Sequence, residues 1–162
     1  MIEYIKGDVL QDSDTKRIIA HVVNNRGGFG KGFALAVAKK YPIVAKEYKA
    51  WWYTSSLLND SSTFLLGNIQ RVKIDDNLTI VNMLCQNGYA STNNPRVLDY
   101  EALGGCLMDL AENDYTTENY LKSDTEIWMP KIGSGLAGGD WKLIENLIEI
   151  FLYKEKVKIF EL

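Results

Sequence analysis

Two apolar runs constrain this chain more than any other feature. Residues 17–23 (RIIAHVV) and 78–85 (LTIVNMLC) are almost continuously apolar. A strand with one wet face alternates polar and apolar residues, whereas a strand covered on both faces does not. Both runs therefore read as central strands with helices above and below. The segments after them supply those helices. Residues 32–41 (GFALAVAKKY) have helical composition, with lysines in the last turn. Pro42 allows a second helix from Ile43 to about Trp52, with Lys46, Glu47 and Lys49 on its solvated side. Its other side carries Val44, Tyr48 and the Trp51-Trp52 pair, which is expected to pack inward.

The remaining chain continues the alternation. Residues 2–6 form a short strand stopped by Gly7-Asp8. Residues 59–62 (NDSS) are a turn, 64–67 a short strand, and 68–74 (NIQRVKI) a half-exposed strand. Asp75-Asp76-Asn77 is a hairpin-type turn, and 86–96 is a polar loop. Residues 97–112 read as helix despite Gly104-Gly105, 113–124 as a polar linker, and 126–132 (EIWMPKI) as a strand. Asp140 stands at the N-cap position of a helix over 141–153, and 157–162 closes as a strand. Strands that alternate with helices predict an α/β domain with a mostly parallel sheet. At 162 residues, with no internal repeat, one domain spanning 1–162 is expected.

Composition narrows the function. The net charge is −3 with acids and bases interspersed, which argues against a nucleic-acid footprint. Cys85 and Cys106 lie in apolar segments and read as small core residues of a reducing compartment, with a disulfide or reactive thiol as the alternatives. One histidine and two cysteines match no familiar zinc spacing. No apolar run approaches the roughly 20 residues of a membrane span. Glu3, Lys6 and Asp8 break up any signal-peptide core, so a soluble cytoplasmic protein is expected.

Two glycine-rich loops carry the chemistry. Asn24-Asn25-Arg26-Gly27-Gly28-Phe29-Gly30-Lys31-Gly32 follows the first buried strand, and Gly133-Ser134-Gly135-Leu136-Ala137-Gly138-Gly139-Asp140 follows the last one but one. Glycine lets an anion approach the backbone, and helix N-termini add N–H groups and a positive dipole end. One such loop can be a packing device; a pair makes two cradles suited to a diphosphate. Neither loop is a Walker A, since Lys31 is followed by Gly32. In open α/β sheets both would lie at the carboxyl ends of the strands, where ligands bind.

Six side chains stand out, each with two readings. Asn24 and Asn25 can meet sugar hydroxyls or make turns. His21 is either a satisfied core histidine or a catalytic or orienting group. Asp8 can accept from an exocyclic amine such as adenine N6, or cap a turn. Asp140 can cap the last helix or act as general acid or base. Lys31 is a point charge near a diphosphate or a solvated lysine.

These segments together resemble the macrodomain family. The resemblance rests on Gly7-Asp8-Val9-Leu10, HVVNNRGGFGKGFALAVAKKYP (21–42), VNMLCQ (81–86) and MPKIGSGLAGGDW (129–141), and covers nearly the whole chain. The branch most resembled contains ADP-ribose-1″-phosphate phosphatases and terminal ADP-ribose glycohydrolases. It implies a three-layer α/β/α fold with a mixed, mostly parallel six-stranded sheet that binds ADP-ribose without metal or other cofactor. Carried over, Asp8 would hold the adenine amine and Val9 a neighbouring backbone contact. Asn24 would meet the distal ribose, with Asn25 beside it as a further ligand-binding candidate. Gly30, Lys31 and Gly32 would flank the diphosphate, and Ile132, Gly133, Ser134, Gly135, Leu136 and Ala137 would wrap it. Asp140 lies near the acidic position used by some hydrolytic members.

The lysine nucleophile that one hydrolase branch of the family uses in the loop after the second buried strand has no counterpart, because 86–92 reads QNGYAST. Tyr89 or another residue of that loop would instead cover the distal ribose. The expectation is a hydrolase acting on ADP-ribose 1″-phosphate, with Asp140 or His21 handling the proton and Asn24 orienting the ribose. The alternatives are a non-catalytic ADP-ribose reader and a hydrolase that removes ester-linked ADP-ribose from protein.

Overall fold

The computed structural model describes residues 2–57, 63–112 and 124–162. Its elements are β1 (Ile2–Lys6), β2 (Arg17–Asn24), α1 (Gly32–Lys40), α2 (Pro42–Leu57), β3 (Ile69–Lys73), β4 (Leu78–Gln86), α3 (Tyr100–Glu112), β5 (Glu126–Pro130), α4 (Trp141–Phe151) and β6 (Val157–Glu161). The strands form one six-stranded sheet in the order β1-β6-β5-β2-β4-β3. Every neighbouring pair is parallel except β3 with β4, the hairpin at one edge. This is the mixed, mostly parallel α/β/α arrangement expected.

The two apolar runs sit at its centre, side by side, with β2 paired to β4 along its whole length. Their side chains alternate between two cores. Ile19, Val23, Ile80 and Leu84 face α1 and α2, where they meet Val37, Val44 and Tyr48. Ala20, Val81, Met83 and Cys85 face α3 and α4, where they meet Leu103, Leu107, Ile144 and Ile148. A period of two feeding two helical layers is why neither run could alternate with polar residues.

Several boundaries move, each for a visible reason. Residues 64–67 are a turn, not a strand: Phe64 is buried, Asn68 N–H donates to Leu65 O, and Gly67 takes φ +102°. Helix α2 runs five residues past Trp52, because nothing from Tyr53 to Leu57 breaks it. Helix α3 begins at Tyr100, since the N–H groups of Val97 and Leu98 both turn to Ala137 O, and Asp99 Oδ1 caps Ala102 N–H at 3.0 Å. Strand β5 stops at Pro130, where Ile132 N–H turns back to its carbonyl. The glycine pair in α3 lies against its neighbours: a Cβ on Gly104 would come within 3.2 Å of the Phe151 ring, whereas one on Gly105 would only touch Gly67 O, at 3.4 Å. Trp51 packs edge-on to Phe64, and its Nε1–H donates to Thr63 Oγ1 at 2.9 Å. The expected turn at 59–62 and nearly all of the expected linker at 113–124 lie outside the described residues.

The end of the sheet away from the loops carries an ionic cluster. Glu126, only 6% exposed, receives Lys156 at 3.1 Å, Lys158 at 2.9 Å and the Trp128 Nε1–H at 2.9 Å. Burial pushes its carboxyl up, but the bonds from Trp128, Lys158 and Lys156 outweigh it and bring the pKa down to about 2. A pKa lowered on folding stabilises the fold above the unfolded value, near 4.5, and the gain is lost as pH falls toward 2. Glu126→Gln should therefore cost about 2 kcal/mol at pH 7. Urea denaturation at pH 7 and pH 3 should show the gap between the two proteins narrowing at the lower pH.

Candidate functional site

Strands β2, β4 and β5 are adjacent and parallel, so the loops after them leave from one edge of the sheet. The three loops are tied to one another. Asn25 N–H donates to Gln86 O, Asn25 Oδ1 accepts from Gly88 N–H at 2.9 Å, and Asn25 Nδ2 reaches Asn87 Oδ1 at 3.1 Å. On the other side Ala137 O accepts from both Val97 and Leu98. Between them lies a cavity of about 860 Å³.

The first glycine loop is shaped by its own asparagine and by α2. Asn24 Nδ2 donates to Gly28 O at 2.8 Å, while its Oδ1 accepts from the N–H groups of Arg26 and Gly28. The Tyr48 hydroxyl, fully buried on α2, donates to Asn24 O at 2.5 Å and accepts from Gly27 N–H at 3.1 Å. The Trp52 ring lies under Gly27, where a Cβ would approach it to 2.6 Å. Tyr48 was not singled out as a site residue. The signal was a tyrosine on the core-facing side of a helix, where a buried hydroxyl needs a partner.

The glycines fall into two kinds. Gly138 has φ +72°, and a Cβ there would stand 2.2 Å from Pro95 O; on Gly139 it would stand 2.6 Å from Gly133 O. The chain itself forbids side chains at these positions. Gly30 and Gly135 are different: both line the cavity, neither has positive φ, and a Cβ on either would meet nothing within 4 Å among the described residues. Their missing side chains leave space in the cavity rather than in the protein interior.

The electrostatics favour an anion. The lining contains Lys31 and Lys131 and no Asp or Glu, with Lys131 also paired to Glu161 at 2.7 Å. Helix α1 opens into the cavity through Lys31, Gly32, Phe33 and Ala34, and its N-cap Lys31 makes no side-chain capping bond. Helix α4 is the opposite case: Asp140 caps it by accepting from Lys142 N–H at 3.0 Å. Only one of the two helix N-termini that follow the glycine loops thus lacks a side-chain cap. Among the described residues the N–H groups of Gly135 and Leu136 meet no protein acceptor. Two exposed apolar side chains rim the mouth. Tyr89 leans on Gly28 and Leu136 on Gly32.

His21 lines the cavity from β2 at 2% exposure, edge-on to Phe29 and Phe33. Its Nε2 lies 2.6 Å from Asn82 Oδ1, and its Nδ1 has no hydrogen-bond partner among the described residues. Burial drives its pKa down to about 4, against the pull of the Asn82 bond, so the ring is neutral at pH 7.

Of the expected site residues, the structure brings His21, Asn24, Gly30, Lys31, Gly32, Ile132, Gly133, Gly135, Leu136 and Ala137 around one cavity. Asp8, Val9, Asn25, Ser134 and Asp140 are not in its lining. Asp8 accepts from Leu10 N–H, Val9 is buried in the α1–α2 core, Asn25 staples two loops, and Ser134 Oγ donates to Lys131 O. Phe29, Phe33, Val97, Pro130 and Lys131 line the cavity without having been marked. In the sequence Phe29 belongs to the first glycine loop, Phe33 and Val97 to helices, and Pro130 and Lys131 to a strand, and nothing there shows that they meet at one cavity.

No protein-family model matches the chain. Among solved structures it is similar to a macrodomain protein from Streptomyces coelicolor, at 32% identity and a TM-score of 0.79 over 100% of this chain and 99% of that one. It is also similar to a Bacteroides thetaiotaomicron protein of unknown function, at 31% identity and a TM-score of 0.84 over 100% and 98%. A relative from Candida albicans named ADP-ribose 1″-phosphate phosphatase is 28% identical over 156 residues, 93% of this chain and 94% of its own.

Two outcomes follow for the free protein. Tyr48→Phe keeps the ring and removes the hydroxyl that ties the first loop to α2. It should cost about 1–2 kcal/mol in urea denaturation. Because the pKa of His21 is lowered on folding, its neutral form is at full advantage above pH 6.5, and stability erodes as pH falls toward 4. The loss over that range should be about 3 kcal/mol. A His21→Gln variant should lack that part of the acid sensitivity when both are unfolded across pH 4–7.

Proposed function

The chain belongs to the macrodomain family, and from that premise we propose that it binds ADP-ribose in this cavity and releases phosphate from ADP-ribose 1″-phosphate. The observation that carries the reading is the open space at Gly30 and Gly135. These are the two lining glycines that the fold leaves free to bear side chains, and their open space supports a ligand seated against both loops. The uncapped end of α1, the free N–H groups of Gly135 and Leu136, and a lining without carboxylates suit a diphosphate between the loops. The Candida albicans relative carries the same activity in its name.

In the proposed reaction a water oxygen attacks phosphorus, and the bond from phosphorus to the ribose oxygen breaks. The backbone N–H groups hold the phosphate charge as it redistributes. His21 takes the water's proton, since it lines the cavity as a neutral base; the ribose oxygen then recovers that proton. Asp140 is the second candidate for proton handling, and Asn24 holds the loop against the distal ribose. Asp8 and Val9 are assigned to the adenine end, outside the lining. A single domain over 1–162 and a cytoplasmic, reducing location belong to the same reading, which the two free buried cysteines support. A second reading is a reader without turnover, or one acting on ester-linked ADP-ribose. It is favoured by the engagement of the Asn24 amide in its own loop and of the Asp140 carboxylate in a helix cap.

Calorimetric titration with ADP-ribose tests the first step. Gly30→Ala and Gly135→Ala should each weaken binding by about tenfold, with melting temperatures within about 2 °C of the parent. Absence of binding by the parent overturns the proposal. Phosphate release from ADP-ribose 1″-phosphate tests the second. His21→Gln should lower kcat by about a hundredfold. Asp140→Asn, which preserves the cap, should leave kcat within a few-fold. Binding by the parent without release from this substrate would favour the reader or the ester hydrolase.

A further inference from the structure

The chain has one histidine, and three consecutive hydrogen bonds determine which of its nitrogens carries the proton. His21, Asn82 and Gln70 are register partners across β2, β4 and β3, forming one row across the sheet. The row ends on α2, where Gln70 Nε2 donates to the main-chain carbonyl of Glu47 at 3.0 Å. That carbonyl can only accept. Gln70 must therefore turn its amide nitrogen toward α2 and its Oε1 toward Asn82. Asn82 Nδ2 donates to that Oε1 at 2.9 Å, which leaves Asn82 Oδ1 facing His21 Nε2 at 2.6 Å. An oxygen there requires Nε2 to bear the hydrogen. Reversing any one amide would set donor against donor or acceptor against acceptor at its neighbour. Nδ1 is thus left with a lone pair, buried and without a hydrogen-bond partner among the described residues, on a residue that lines the cavity. The rings packed on it are Phe29 and Phe33, so no neighbouring aromatic partner brings a charge to alter the choice.

We propose that Asn82 and Gln70 are positioning residues that hold His21 as the Nε2–H tautomer, with Nδ1 as a dedicated proton acceptor for the reaction in the cavity. The inference rests on the phosphatase reading for its consequence, but not for the tautomer itself. When Nδ1 takes the proton of the attacking water, the imidazolium keeps its Nε2–H on Asn82 Oδ1. The proton returns from Nδ1 to the ribose oxygen as the bond to phosphorus breaks. The other tautomer would present an N–H to the incoming water and could not accept its proton. Gln70 lies on the edge strand, far along the row from the cavity, and acts only through Asn82.

The test is nitrogen-15 labelling of the single histidine in the full chain, read by two-bond proton–nitrogen correlation at pH 7, beside steady-state phosphate release. The parent should show the Nε2–H tautomer alone. Gln70→Leu frees the Asn82 amide to rotate and should give a mixture of tautomers, with kcat lowered by about tenfold and KM unchanged. Gln70→Glu loses the bond to the Glu47 carbonyl but still accepts from Asn82 Nδ2, so it should keep the Nε2–H tautomer, which separates orientation of Asn82 from simple loss of the contact with α2. An Nδ1–H tautomer in the parent overturns the proposal, as does Gln70→Leu with a pure Nε2–H tautomer and unchanged kcat. If the parent releases no phosphate, the phosphatase reading fails, and the nitrogen spectra of the parent and both variants still decide the relay.

Discussion

The parallel pairing of β2 with β4, with β5 on the other flank of β2, is the constraint from which the site follows. Parallel strands cannot be joined by tight turns, so each must be followed by a crossover that starts at the same edge of the sheet. Three such crossovers begin side by side here, after Asn24, Gln86 and Pro130. Their first residues are forced into proximity, and Asn25 and Ala137 lock them there through bonds to the middle loop. The cavity is the space these loops cannot fill, because glycine stands where side chains would be.

Helix α2 has a less obvious part in this. Its main task is to cover one face of the sheet, yet three of its residues reach outward to the site. Tyr48 and Trp52 support the first glycine loop from beneath, and the Glu47 carbonyl terminates the hydrogen-bond row that reaches His21. The packing layer and the chemical layer are therefore the same element. Damage to the inner face of α2 would reach the cavity without touching any residue that lines it.

Much of this was legible in the sequence. Unbroken apolar runs announced buried strands because burial on two faces removes the reason for polar alternation. Both glycine loops were visible, and Asp140 was correctly weighed as a helix cap. Less was legible where the outcome depended on neighbours distant in the chain. Gly138 and Gly135 look alike in sequence, but Pro95 stands over one and open space over the other. Phe64 to Gly67 has the composition of a strand, but Asn68 N–H closes on Leu65 O and Gly67 takes φ +102°, which makes it a turn. Asn25 read as a sugar contact because its role depends on where Gly88 falls in three dimensions. Gln70 and Asn82 carried no signal, since a polar residue in an otherwise apolar strand names no partner.

The contrast between the two helix starts has a consequence for how order is distributed in the molecule. Helix α4 closes on Asp140 and needs nothing from outside. Helix α1 begins with its first N–H groups uncapped by any side chain: its first residue is a glycine with φ +57°, and the residue before it is a lysine in extended conformation. A first turn of this kind frays readily. Any anion that settles against it supplies the missing cap, so occupancy and helix order become one equilibrium. The empty protein would then breathe at the threshold of its own cavity, and a guest would still that motion by completing the helix.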